Sequence, residues 1–85
     1  MFINGELRNV LIDKNEPDFS LEGMINPSFQ NDGEAIVYID GRKVAPNETY
    51  VVNAPNVILK NKIPITFEMS SNKKRILYLG FVKTV

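Results

Sequence analysis

Two pairs of carboxylates have spacing suited to acid–base chemistry: Glu16 and Asp18 flank Pro17, and Asp32 and Glu34 flank Gly33. Carboxylates held together in a cleft split their pKa values, so that one donates a proton and the other accepts it. Both pairs, however, stand in turn-forming sequence, where acidic side chains are common for local reasons. Asn31-Asp32-Gly33-Glu34 offers oxygen ligands of the kind Ca²⁺ takes, but lacks the ligand number and spacing of a calcium loop. Ser20, Ser28, Ser70 and Ser71 have no histidine to activate them, because the chain contains none, and no cysteine offers a thiolate. There is no glycine-rich phosphate loop, zinc spacing or nucleotide fingerprint. The residue inventory therefore points away from an enzyme, and from any metal or cofactor.

The remaining chemistry is that of charge. Lys73-Lys74-Arg75 offers a phosphate-binding patch, with Tyr78 and Phe81 nearby as stacking platforms. On these residues an oligonucleotide-binding barrel that takes single-stranded nucleic acid is the alternative reading. Against it stand an isoelectric point near 6.2 and the alternation of a strand, which sends Tyr78 and Phe81 to opposite faces. A carbohydrate- or peptide-binding sandwich needs an aromatic cleft, and most of the eight aromatic residues fall at core-facing positions. The net charge of zero conceals a division. Residues 1–40 carry two cationic against eight anionic side chains, a net −6, and residues 41–85 carry eight against two, a net +6. Acidic strands pairing with basic ones inside one sheet would account for this. Alternatively, two oppositely charged surfaces serve contacts between subunits, with Lys73, Lys74 and Arg75 at one contact and Glu16, Asp18 and Glu22 at another.

The elements that hold these residues must come from one small domain spanning residues 1–85, with 44% hydrophobic residues. A chain this short buries only roughly 60–65% of its unfolded surface. Without cysteine no disulfide staples the fold, which suggests folding inside a cell. Met1-Phe2-Ile3-Asn4-Gly5-Glu6 has no signal-peptide character. The longest apolar run, Ile76 to Val82, is far short of the ~20 residues of a spanning helix. The expected location is the cytoplasm, or the virion for a viral protein.

No segment carries a 3.6-residue apolar period, and turn signals recur every ~8–12 residues, which predicts an all-β chain. The expected architecture is a small antiparallel β-sandwich, or partly open barrel, of about seven short strands. Glu6 to Lys14 is apolar on both faces at its centre and predicts a partly buried strand. Phe19 to Asn26 predicts a second, half-buried one. Phe29, between Asn26-Pro27-Ser28 and Asn31-Asp32-Gly33, is expected to plug the core from a loop. Ala35 to Ile39 meets Asp40-Gly41, the signature of a type I′ hairpin, and Arg42 to Val44 returns to a second turn defined by Pro46 and Asn47. Glu48 to Asn53 and Val57 to Lys60 follow. Ile63 to Ser70 alternates most cleanly, and Pro64 assigns it to a sheet edge. Ser71-Asn72-Lys73-Lys74 reads as an exposed hairpin tip, before a central, well-covered strand from Arg75 to Val85.

A long-range order runs from Asn31-Asp32-Gly33 through Ala35-Ile36-Val37-Tyr38-Ile39, Asp40-Gly41 and Val44-Ala45-Pro46-Asn47-Glu48. It continues to Ile63-Pro64-Ile65-Thr66-Phe67-Glu68 and Lys74-Arg75-Ile76-Leu77-Tyr78-Leu79. It resembles small β-sandwich modules of tailed-phage virions, of the capsid auxiliary (decoration) and fibre-attachment types. The resemblance spans roughly residues 31–82 and rests on spacing. Asn47 stands where glycine would be expected, and asparagine also tolerates left-handed geometry. The resemblance implies a non-enzymatic structural protein whose partner is a larger protein assembly such as a capsid, a second copy of itself, or both. It transfers no catalytic residues, and the reading includes neither nucleic acid nor a membrane among the partners.

Overall fold

Alternating apolar residues and left-handed turn residues cut the chain into eight strands and no helix among the described residues, which are 4–70 and 72–84 of a computed structural model. The strands are β1 (Gly5–Ile12), β2 (Glu16–Ser20), β3 (Met24–Asn31), β4 (Val37–Ile39), β5 (Arg42–Val44), β6 (Thr49–Val51), β7 (Lys62–Phe67) and β8 (Leu77–Thr84). They form two four-stranded antiparallel sheets: sheet A in the order β1-β8-β3-β6 and sheet B in the order β2-β7-β4-β5. Neither closes into a barrel, so the architecture is that of a small β-sandwich.

The core lies between them. Phe29, Leu77, Leu79 and Phe81 face inward from sheet A, and Val37, Ile39, Ile63, Ile65 and Phe67 from sheet B. Asp40 and Gly41 both have positive φ, 51° and 81°, the type I′ geometry whose twist matches the flanking strands. Asn47 takes φ 69° in the next turn, where Glu48 N–H donates to the Ala45 carbonyl at 3.0 Å. The side of the sandwich between β5 and β6 is closed by stacking. The Arg42 guanidinium lies 5.5 Å from the Tyr50 ring centre, and Tyr50 stacks on Phe29 at 6.2 Å.

Several sequence expectations are corrected. Gly23, at φ 83°, splits the expected strand from Phe19 to Asn26 into β2 and β3, with Met24 N–H donating to the Leu21 carbonyl. Phe29 sits within β3 rather than in a loop, because Asn26 (φ 53°) and Pro27 form a bulge in that strand. Pro64 lies in the central strand β7, not at an edge. Its carbonyl accepts from Asp40 N–H at 2.9 Å, so its missing N–H faces the Asp40–Gly41 turn, where the β4 ladder has ended. On its other flank, β2 bulges at Pro17–Asp18. The segment between β7 and β8 is a crossover between sheets and not a hairpin tip; Ser71 lies outside the described residues. β8 is central, as expected, but covered on one face only.

Candidate functional site

β1 is the largest departure. Its centre was expected to be partly buried, yet only Ile12 is buried and Gly5 to Leu11 are all exposed. Residues opposite one another in an antiparallel pair point to the same side. The even residues Glu6, Arg8, Val10 and Ile12 therefore share the inward face with Lys83, Phe81, Leu79 and Leu77. Sheet B reaches only as far as Ile12. The uncovered part forms an open groove of about 450 Å³, lined by Glu6, Arg8, Val10, Phe81 and Lys83 among others. The molecule is correspondingly long, with Cα extents of 48 × 21 × 17 Å.

The odd residues of β1 face outward on sheet A, where apolar residues stand among the polar Asn9, Ser28, Gln30 and Thr49. Leu7 pairs with Val82, Val82 with Ile25, and Ile25 bridges to Ile58, making one unbroken cross-strand apolar row. Its ends, Leu7 and Ile58, are 74% and 55% exposed. A second row pairs Leu11 with Tyr78, 53% and 46% exposed, and Val51 stands exposed on β6 between the two. The outer face of sheet B differs. There Ser20 opposes Lys62, and Tyr38 stands between Lys43 and Thr66. A stable sandwich requires only inward apolar faces, so the outward apolar rows on sheet A are surplus to folding. Covering Leu7, Leu11, Val51 and Ile58 is worth about 4–6 kcal/mol before the cost of association.

The residues singled out for charge are placed differently. Lys73 Nζ pairs with Glu68 Oε1 at 2.8 Å, and the Arg75 guanidinium lies 5.5 Å from the Phe67 ring centre. Lys74 serves through its backbone: its carbonyl accepts from Glu34 N–H at 2.8 Å and Ala35 N–H at 3.1 Å, and its N–H donates to the Glu34 carboxylate. Glu68 also accepts from Ile36 N–H at 2.9 Å; the Lys73 bond and this one hold its carboxyl below its ordinary pKa. Glu16 is half-buried on β2, while Asp18 and Glu22 are exposed. Tyr78 faces out and Phe81 inward. Among the described residues the two ion pairs are Lys73–Glu68 and Arg8–Glu6, and neither joins the acidic half to the basic half. The strands themselves do join them: every pairing in both sheets sets a strand from residues 1–40 beside one from residues 41–85, and Glu6 stands opposite Lys83. The two halves are thus interleaved within each sheet, as pairing of acidic with basic strands requires, and not separated onto two surfaces.

Asn31, read from the sequence as part of a turn or an incomplete cation loop, is the buried polar residue of the core. Its amide donates to the Ala35 and Val44 carbonyls at 2.9 and 3.0 Å, and its Oδ1 accepts from Gly33 N–H at 3.0 Å. Those bonds tie the end of β3 to both arms of the sheet B hairpin, which makes Asn31 structural. No group of three or more acidic ligands is brought together among the described residues, and no helix among them is long and apolar enough to cross a membrane.

No family model, curated protein or solved structure matches the chain.

Proposed function

We propose that this chain is a non-enzymatic structural protein that binds a larger protein assembly through the outer face of sheet A. The observation that carries this is the apolar row Leu7–Val82–Ile25–Ile58, exposed at both ends on a face that folding does not use. The most specific form is a virion accessory protein of the capsid auxiliary type. That form rests on the resemblance of residues 31–82 and on the sandwich architecture. Many copies of one weak contact would then reinforce a lattice by multivalency.

The test is co-sedimentation with the assembly. Where the source is a phage, the chain sediments with purified particles in many copies, and Ile58→Lys with Val51→Lys releases it while the fold persists. A chain absent from the particles removes the virion form. Equal retention of wild type and the double variant removes the apolar face as the contact.

A further inference from the structure

A sheet edge presents a row of unpaired N–H and C=O groups, and natural proteins blunt such edges. Three of the four edges here are blunted. β2 carries Pro17 and a bulge, β5 is three residues long and bears Arg42 and Lys43, and β6 is three residues long. β1 has no proline, bulge or short length to blunt it; its inward-facing charges, Glu6 and Arg8, are of opposite sign and bar a neutral strand but not one that presents the complementary pair. β1 is eight residues long, in unbroken register with β8, and no described strand lies on its other side. Only Ile12 at its end is buried, and Gly5 to Leu11 are exposed, so the inward face of that stretch is open to an approaching strand.

We infer that β1 pairs antiparallel with β1 of a second copy about a two-fold axis through Leu7, joining the two A sheets into one of eight strands. This rests on the interaction reading above and names one partner within it. Charge fixes the register. With Leu7 opposite Leu7, Glu6 of one copy stands opposite Arg8 of the other, and the reverse. Glu6 and Arg8 already pair along the strand at 2.6 Å, so the four charges form a square of alternating sign. Centring on Arg8 instead opposes two guanidinium groups, and centring on Val10 opposes Leu7 to Asp13. Centring on Asn9 opposes Leu7 to Leu11 but sets both charges against apolar residues, Glu6 facing Ile12 and Arg8 facing Val10. Only the Leu7 register continues the apolar row without a gap, from Ile58 through Leu7 to Leu7 and on to Ile58 of the second copy.

The test is sedimentation equilibrium of the full chain from about 1 µM to about 1 mM, a range that spans weak edge-pairing affinities. Wild type forms a concentration-dependent dimer. Arg8→Glu weakens it about thirtyfold, because both symmetric pairs turn from attraction to repulsion. Glu6→Arg with Arg8→Glu restores the wild-type affinity, which a merely structural role for either residue would not do. Leu7→Lys also dissociates it. These side chains are exposed, and circular dichroism checks that each variant folds. A monomer throughout, a dimer indifferent to Arg8→Glu, or a double variant no tighter than the single one overturns the inference. Loss of assembly binding by the Ile58→Lys/Val51→Lys variant is read separately, so a failed dimer leaves that reading standing.

Discussion

Replacing Asn31 by alanine should be the most damaging single polar substitution in the protein. The side chain is fully buried, donates to the Ala35 and Val44 carbonyls, and accepts from Gly33 N–H. Truncation strips three backbone groups of a partner in a place water reaches poorly. Each such group costs about 1 kcal/mol or somewhat more, giving a loss of roughly 3–4 kcal/mol. A chain of 85 residues has a total stability of about 4–13 kcal/mol, so this is between a quarter and nearly all of it. Urea unfolding followed by far-ultraviolet circular dichroism reads the loss directly, and the thermal midpoint should fall by well over about 10 °C. Asn31→Asp sharpens the test. It keeps the shape but turns an ionised oxygen toward two carbonyls, so its folded-state pKa is raised. Its stability should then fall as pH rises from about 4 toward neutrality, the reverse of an ordinary surface aspartate. A loss under about 1 kcal/mol for Asn31→Ala would refute the view that this amide holds the two sheets in register.

Three further outcomes follow from the geometry. The Glu68 carboxyl titrates below its ordinary value near 4.5 because Lys73 and Ile36 N–H bond its charged form. Its contribution is present above that value and is lost as pH falls through the folded-state pKa, so Glu68→Gln should flatten the acid limb of the stability profile measured by urea midpoints. Gly33→Ala places a Cβ 2.6 Å from both Ile76 N and the Lys74 carbonyl oxygen, which are backbone and cannot yield. It should cost about 2 kcal/mol or more by the same unfolding assay, and a neutral result would show that the 74–76 segment gives way. At Asn47, φ 69°, glycine should be nearly neutral while valine costs about 1–2 kcal/mol, read as a shift in urea midpoint at unchanged slope.

The legible parts of the fold were those set by local chemistry. Asp40-Gly41 specifies its turn because few residue pairs accept two successive positive φ values, and Ile63, Ile65 and Phe67 declare a face because strand period is two. The errors share one cause. Proline's missing donor predicts an edge position for Pro64, but the donor is missing only on the side where the β4 ladder has already ended. Asn26-Pro27-Ser28 reads locally as a break that would put Phe29 in a loop, whereas the chain absorbs it as a bulge and continues. Asn31 looked like turn chemistry because its partners at Ala35 and Val44 come near only after the hairpin folds over it. For the candidate surface, apolar residues on both faces predict a partly buried β1 and a well-covered β8, whereas Gly5 to Leu11 are exposed and β8 is covered on one face only.

The sequence by itself determined the all-β class, the turns at Asp40-Gly41 and Asn47 and the inward face of β7, because each of these follows from backbone geometry and side-chain type over a few residues. It could not determine which apolar faces would be buried. An apolar face is covered only where a second layer extends over it, and the extent of sheet B is set by the pairing of β2, β7, β4 and β5 from distant parts of the chain. That pairing leaves Gly5 to Leu11 bare on both faces and at an open edge. The tertiary structure alone therefore turned a strand that looked like core into the surface on which the proposed contacts depend.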